Sequence, residues 1–226
     1  MKHKGMKSLR GLYVITDEKL ILPIRLAESV EQALRGGARI IQYRDKSDDH
    51  AKRLHQASKL KMLCEKYQAT LIINDDVELA LQIDADGVHI GKHDASLAAT
   101  RKQLGDNKII GVSCYNNLEL ALDTEKHGAD YIAFGSFFSS ATKPEAIRAD
   151  KALLIRAKQT LNIPVCAIGG ITLQNAASLL QAGADMVAVI TDVLGAKNIY
   201  DHCTQFSALF QQETTTRFFS SSLDKE

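Results

Sequence analysis

Short apolar runs rich in β-branched residues alternate along this chain with longer amphipathic stretches. A short apolar run bounded by polar residues predicts a buried strand, and apolar positions three and four residues apart predict a helix. Several of the helical stretches end with glycine, which is favoured just past a helix C-terminus. The eight predicted strands cover residues 12–16, 39–44, 70–74, 87–91, 109–114, 131–138, 165–171 and 186–191.

Eight strands joined by helical crossovers within 226 residues favour a closed parallel barrel, the (β/α)8 TIM barrel of the α/β class. An open doubly wound sheet is the alternative, but it usually has fewer strands. The segments GGARIIQYR, HGADYIAFG and AGADMVAVI each place Gly-Ala just before a predicted strand, which indicates repeated units. We expect an N-terminal extension over residues 1–10, one catalytic barrel domain over 11–210 and a polar, flexible tail over 211–226.

The composition fits one large core, since 45% of the residues are hydrophobic. Twenty-eight basic residues against 27 acidic ones leave a net charge of +1, which argues against nucleic acid or an anionic membrane as a partner. The four scattered cysteines form no CxxC pair and favour a reducing compartment. No segment resembles a membrane span or a secretory leader, so we expect a soluble, cytoplasmic protein.

Polar residues follow the second predicted strand with a period of two. Gln42, Arg44 and Lys46 alternate after Ile40, so one face of the strand passes from the core to a cationic barrel mouth. Active sites of such barrels lie at the C-terminal ends of the strands. A single basic residue there is usually solvated, whereas three donors at strand spacing favour phosphate binding.

Acidic residues follow the next two strands. Asp75 comes after Asn74 at the end of the third predicted strand, and Asp94 follows the fourth. Neighbouring loops can share one cation, and carboxylates with water and substrate phosphate form the usual shell of Mg²⁺. Helix capping is the alternative for Asp75, Asp76 and Asp94, because each stands just before a helical stretch. Together, the carboxylates favour a magnesium site.

Two histidines near the fourth strand, His89 and His93, raise the question of zinc. Their i, i+4 spacing does not put the two side chains on one face at a strand end, as it would on a helix. Ser113 and Cys114 end the fifth predicted strand, but no triad order is present to activate either as a nucleophile. We therefore disfavour zinc and interpret Ser113 as a hydrogen-bonding residue.

The loop after the sixth predicted strand is rich in donors. It contains hydroxyl groups at Ser139, Ser140 and Thr142, followed by the cation Lys143. Such a loop can wrap a diphosphate, although Ser/Thr clusters before a proline are also ordinary loop sequence.

The seventh predicted strand ends in AIGGI, and the eighth ends at Thr191. Because glycine has no Cβ, its backbone N–H can approach a phosphate closely. Barrels often bind phosphate between the loops after strands seven and eight. We therefore predict a second phosphate site there.

The strand-end motifs have a specific order, which is YVITD, QYRDK, NDD, ADGVHIGKHD, GVSC, ATKPEA, AIGGI and AVIT. In this order and spacing, over roughly residues 11 to 195, they resemble the thiamine phosphate synthase family. The resemblance implies transfer of the 4-amino-2-methylpyrimidine-5-methyl group from its diphosphate to the ring nitrogen of a thiazole phosphate. The expected products are thiamine phosphate and pyrophosphate, and both substrates are small molecules.

The resemblance also implies roles for individual residues. Catalysis would fall to Arg44, Lys46, Lys143 and Ser113, and Mg²⁺ would bind to Asp75 and Asp94. The implied substrate-binding residues are Gln42, Arg44, Lys46, Asn74, Ser113, Ser140, Thr142, Lys143, Gly170, Ile190 and Thr191. The first four of these, with Lys143, would face the pyrimidine diphosphate. The backbone at Gly170, Ile190 and Thr191 would hold the thiazole phosphate, with Ser140 and Thr142 on the same side.

Four positions depart from the family pattern. Ser140 stands where the family usually has Thr and keeps the hydroxyl group. Ser136 and Ser139 replace Pro in a loop of a kind that commonly gates barrel sites. Lys92 replaces Gln and adds a positive charge near Asp94, which can either help to hold diphosphate or weaken metal binding.

Two rival functions stay open. A thiazole tautomerase shares the fold and the thiazole phosphate site but lacks a complete diphosphate clamp, which this chain retains. A non-catalytic phosphate-binding or regulatory barrel is the other rival, because fold alone does not establish turnover. A non-catalytic barrel of that kind leaves the carboxylates of Asp75 and Asp94 unexplained. A homo-oligomer also stays open, as does the choice between the ordinary thiazole phosphate and its aromatic carboxylate form.

Overall fold

The computed structural model describes residues 8–92, 94–139 and 148–223, with side chains described up to residue 212. Eight parallel strands pair in chain order, and β8 pairs with β1 to close the barrel. The predicted (β/α)8 barrel is therefore confirmed. The strands are β1 Gly11–Ile15, β2 Ile40–Tyr43, β3 Thr70–Asn74, β4 Gly87–Ile90, β5 Ile109–Tyr115, β6 Tyr131–Phe134, β7 Val165–Ile168 and β8 Met186–Val189.

Helices follow the strands as crossovers, and most begin with a side-chain cap. Asp49, Asp76, Ser96, Asn117 and Asp150 each accept a hydrogen bond from the first turn of their helix. A 3-10 turn at Pro23–Arg25 precedes the first helix. The helices are α1 Leu26–Arg35, α2 His50–Lys66, α3 Val77–Gln82, α4 Leu97–Leu104, α5 Leu118–Lys126, α6 Lys151–Thr160, α7 Leu173–Gln181, α8 Thr191–Leu194 and α9 Ile199–Leu223.

The last helix, α9, continues to Leu223 and so covers most of the segment 211–226. The flexibility expected of that segment stays a prediction. Within the described residues, no helix combines the length and the apolar character needed to cross a membrane.

The strands β6, β7 and β8 end earlier than the apolar runs in the sequence predict. After β6, the N–H groups of Phe137 and Phe138 donate to the carbonyls of Ile168 and Gly169, at 3.1 and 3.0 Å. The loop after β6 thus covers the end of β7. Gly169 then leaves the strand conformation with a φ of +102°, and Thr191 begins α8 instead of continuing β8.

Strand alternation divides the core into two layers. Side chains such as Tyr13, Ile40 and Tyr131 point into the barrel, while Leu12 and Ile41 pack against the surrounding helices. These inward-facing side chains fill the barrel interior, as is usual for this fold. Sites in barrels of this kind lie at the C-terminal mouth.

An aspartate precedes every second strand from β4 onward, at Asp86, Asp130 and Asp185. Each carboxylate accepts a hydrogen bond from a backbone N–H near the start of the preceding strand, at 2.7, 2.8 and 3.0 Å respectively. Arg39 takes the equivalent position before β2. The repeated Gly-Ala segments of the sequence thus lie at the N-terminal end of the barrel, away from the mouth.

Candidate active site at the barrel mouth

Arg44 lies just past the end of β2. Its N–H donates to Thr16 Oγ1 at 2.8 Å, and that hydroxyl donates to the Arg44 carbonyl at 3.1 Å. The guanidinium Nη1 lies 4.0 Å from Asp17 Oδ2 and 3.9 Å from Glu18 Oε2. Glu18 Oε2 is buried and has no hydrogen-bond partner. Its ion pair with Arg44 therefore supplies the positive charge that its carboxylate needs. The sequence interpretation missed this acidic pair.

Lys46 and Asp75 form an ion pair that joins the ends of β2 and β3. Asn74 Nδ2 donates to the same carboxylate oxygen of Asp75 at 2.8 Å. The N–H of Asp75 donates to the carbonyl of His89 at 2.9 Å, and its φ of +53° turns the chain out of β3. Lys46, Asn74 and Asp75 therefore meet at one place, beside the end of β4.

The neighbouring Asp76 has a structural role. Its Oδ1 accepts from the N–H of Leu79 at 2.9 Å, which caps α3, and its Oδ2 pairs with Arg53 on α2. The capping alternative is therefore right for Asp76. It does not describe Asp75, which caps no helix.

Asp94 is likewise free of a capping role, because Ser96 caps α4. Asp94 Oδ2 accepts from the N–H of Gly91 at 2.6 Å, which folds the loop after β4 back on itself. The N–H of Lys92 donates to Tyr115 Oη at 3.1 Å, joining this loop to the end of β5. Asp94 thus lies on the loop next to Asp75.

The donor set suits a hard cation that keeps part of its water shell. Within the described ranges, no three His, Cys, Asp or Glu side chains converge as a complete cage. Asp75 and Asp94 use Oδ2 for their hydrogen bonds, and no described residue donates to Oδ1 of either. Two carboxylates supplemented by water and substrate phosphate match the coordination habits of Mg²⁺.

A hydrogen-bonded chain of five side chains crosses the barrel below the mouth. Gln42 Nε2 donates to Tyr13 Oη at 2.6 Å, and Tyr13 Oη lies 2.9 Å from Tyr131 Oη. Tyr131 Oη lies 2.9 Å from His89 Nδ1, and His89 Nε2 lies 2.9 Å from Ser113 Oγ. We call these residues the tyrosine–histidine relay. It connects Gln42 and Ser113, both predicted to bind substrate.

Burial keeps the relay uncharged. It lowers the pKa of His89 from 6.5 to about 4, although the charge of Asp94 acts in the opposite direction. Burial also raises the pKa of both Tyr13 and Tyr131 above the ordinary value of 10.0. Both ring nitrogens of His89 already have partners within the barrel, and His93 lies outside the described residues.

The loop after β6 is described up to Ser139. Ser136 Oγ donates to the carbonyl of Phe138 at 2.7 Å, and the Arg148 guanidinium contacts Ser139 Oγ. The candidate residues Ser140, Thr142 and Lys143 lie outside the described residues.

The predicted phosphate site after β7 and β8 presents backbone groups. Gly170 has a φ of +59°, and a Cβ on it would stand 2.3 Å from the carbonyl oxygen of Ser139, so only glycine fits. Ile190 precedes α8, which starts at Thr191 without a side-chain cap. Among the described residues, none accepts a hydrogen bond from the N–H of Gly170 or Thr191. These donors are available to an anion.

Comparison with known proteins gives consistent results. A family profile described as thiamine monophosphate synthase matches residues 12–193. The thiamine-phosphate synthase of Nitrosococcus oceani is 50% identical over 192 residues, which is 85% of this chain and 88% of that protein. The thiamine-phosphate synthase of Methylobacillus flagellatus is 49% identical over 210 residues, which is 93% of this chain and 100% of that protein.

A solved structure agrees with the fold. The thiamine phosphate pyrophosphorylase from Pyrococcus furiosus superposes with a TM-score of 0.82 at 36% sequence identity. The match covers 90% of this chain and 96% of that one. A geranylgeranylglyceryl phosphate synthase from Thermoplasma acidophilum, at 20% identity and a TM-score of 0.68, shares the barrel fold alone.

Proposed function

Because this chain belongs to the thiamine monophosphate synthase family, we propose that the charged residues at its barrel mouth carry out the family's reaction with Mg²⁺. The reaction couples an aminopyrimidine diphosphate with thiazole phosphate to give thiamine phosphate and pyrophosphate. The observation that supports the assignment of residues most directly is the convergence of Lys46, Asn74 and Asp75 at one end of the barrel, beside Arg44.

Departure of pyrophosphate builds negative charge, which the cations at the mouth would neutralise. Arg44 and Lys46 extend from the same strand end, and Lys143 would complete the clamp. In the structure, Arg44 faces Asp17 and Glu18. An entering diphosphate would offer Arg44 a closer and more highly charged partner, so we expect the guanidinium to turn toward it.

Asp75 and Asp94 are the residues that would hold magnesium. When bound there, the ion would neutralise part of the diphosphate charge. Lys46 Nζ contacts Asp75. When Asp75 binds the metal, Lys46 would leave that carboxylate and could contact the diphosphate itself. Lys46 and Asp75 would thus exchange their mutual contact for new partners, the diphosphate for Lys46 and the metal for Asp75.

The coupling step needs no general base from the protein. The aminopyrimidine ring stabilises a methylene carbon that gains cationic character, and the thiazole nitrogen already carries the attacking lone pair. The barrel would therefore contribute mainly by positioning. Gln42 and Ser113 would face the pyrimidine diphosphate, while Gly170, Ile190 and Thr191 would hold the thiazole phosphate. Ser140 and Thr142 belong to the same proposal.

We also propose a cytoplasmic location, because all four cysteines are buried and none of them forms a disulfide. The residue assignment is tested by Arg44→Ala and Lys143→Ala. Each should lower kcat/KM at least about a hundredfold while the circular dichroism spectrum stays that of the wild type. Lys66→Ala is the control, because Lys66 pairs with Glu31 on the outer surface. Normal turnover in both site variants would overturn the assignment.

A further inference from the structure

Burial limits how the side chains of the tyrosine–histidine relay can place their polar hydrogens. Gln42 is 3% exposed, Tyr13 1% and Tyr131 0%, so water cannot complete their hydrogen bonding. A buried donor left without an acceptor loses its hydrogen bond to water and gains none in return, which is costly. The arrangement that satisfies all of them is therefore strongly preferred.

The direction is set at the Gln42 end. The amide Nε2 can only donate, and it donates to Tyr13 Oη. Tyr13 must then find another acceptor for its own O–H, and Tyr131 Oη at 2.9 Å is the neighbour available. Tyr131 has thereby accepted one hydrogen bond and must pass its own hydrogen onward.

The same logic determines the tautomer of the histidine. Tyr131 donates to His89 Nδ1, so that nitrogen carries no hydrogen. The neutral ring then has its single N–H at Nε2, which donates to Ser113 Oγ. Ser113 Oγ accepts this hydrogen bond from the barrel interior, so the hydrogen of its own hydroxyl group points toward the mouth.

We propose that the tyrosine–histidine relay has one hydrogen-bond direction, set by the Gln42 amide, which makes the Ser113 hydroxyl a donor toward the substrate. Tyr13, Tyr131 and His89 are positioning residues in this arrangement. A donor at Ser113 is attractive to a diphosphate oxygen, whereas the reverse direction would present only lone pairs to that anion. This last consequence rests on the proposed function, while the direction itself does not.

The direct test is the tautomer of His89, read from the ¹⁵N shifts of its ring in labelled protein. The wild type should show Nε2 protonated and Nδ1 unprotonated. Gln42→Glu replaces the amide by a carboxylate that accepts from Tyr13, which reverses every bond and should move the proton to Nδ1. Gln56→Glu is the matched control, because Gln56 is the other buried glutamine and accepts from Tyr43 outside the relay.

Transmission through the relay is tested in a second background. In Tyr13→Phe the connection between Gln42 and Tyr131 is missing, so adding Gln42→Glu should no longer change the His89 shifts. A wild-type proton on Nδ1, no response to Gln42→Glu, or a response that persists without the Tyr13 hydroxyl would each overturn the proposal. Circular dichroism and the remaining amide shifts establish that each variant is folded.

The catalytic consequence is tested with Tyr131→Phe at saturating substrates. Without the Tyr131 hydroxyl, His89 Nδ1 loses its donor, so the hydrogen-bond direction at Ser113 is no longer fixed. We expect kcat to fall about tenfold or more, with a smaller change in the KM of thiazole phosphate. Tyr43→Phe, which removes a buried hydroxyl outside the relay, should not lower kcat in this way. An unchanged kcat in Tyr131→Phe would overturn the role of the relay in positioning Ser113. A wild type without thiamine phosphate synthesis would instead refute the proposed function, and the ¹⁵N result would still decide the direction.

Discussion

The ring of Tyr131 occupies the place that a side chain at Gly111 would take. A Cβ atom on Gly111 would stand 1.9 Å from Tyr131 Cζ and 2.3 Å from its hydroxyl oxygen. The two residues are paired neighbours on β5 and β6. Glycine at this position therefore lets the phenol lie flat across β5 and reach His89.

Gly111→Ala should destabilise the protein by about 1–3 kcal/mol, because the added methyl group overlaps a buried ring that cannot retreat. It should also displace the Tyr131 hydroxyl from His89. Urea unfolding measures the stability change. The cost should shrink in a Tyr131→Leu background, where the overlap is relieved, and an equal cost in both backgrounds would contradict this packing.

The adjacent carboxylates Asp75 and Asp76 should separate metal binding from stability. Asp75→Asn should weaken Mg²⁺ binding in the presence of the aminopyrimidine diphosphate, since it removes one of the two proposed anionic ligands. Asp76→Ala should instead cost about 1 kcal/mol of stability by removing the cap of α3, with Mg²⁺ affinity little changed. Calorimetric titration and thermal unfolding of both variants measure the two effects. The reverse pattern would show that the metal ligand has been misassigned.

Acid should destabilise the protein in part through His89. Its pKa is lowered from 6.5 to about 4 in the folded state, so the unfolded chain binds the proton more readily. This contribution to stability is fully present above pH 6.5 and is lost as the pH falls toward 4. The Cε1–H resonance of His89 should not move between pH 8 and about 5.5 in the folded protein. A midpoint near the ordinary value would contradict the buried, neutral ring.

The aspartates at the base of the barrel should affect stability without affecting chemistry. Asp130 accepts from the N–H of Ile110 and pairs with Arg101, which also donates to three carbonyls nearby. Asp130→Ala leaves the N–H of Ile110 without an acceptor and removes the carboxylate partner of Arg101, so it should cost about 1–3 kcal/mol. The KM values should stay unchanged, because this end of the barrel lies opposite the mouth. A raised KM with normal stability would argue against the placement of the site.

The barrel follows from the sequence because each strand is a local apolar run that needs no knowledge of its neighbours. Strand ends were less predictable, since Phe137 and Phe138 leave β6 in order to pair with the end of β7. The cationic and acidic candidates Arg44, Lys46 and Asp75 could be found because they directly follow predicted strands, at the barrel end where active sites lie.

The relay could not be found in that way. Tyr13 and Tyr131 stand within apolar runs and look like core aromatics, while their hydroxyl groups meet across 118 residues of chain. His89 lies four residues before His93, and this spacing raises the question of zinc rather than of a buried hydrogen bond. The available signal was the two-residue alternation of side chains along a strand. It places Tyr13, Gln42 and His89 at inward-facing positions, where a buried polar group needs a partner.

The most direct measurement incubates the purified protein with the aminopyrimidine diphosphate, thiazole phosphate and Mg²⁺, with and without a chelator, and detects thiamine phosphate by mass spectrometry. We expect thiamine phosphate and pyrophosphate in equal amounts with Mg²⁺, and little product after chelation. Binding of thiazole phosphate without any product under either condition would contradict the account and favour a tautomerase or a regulatory barrel.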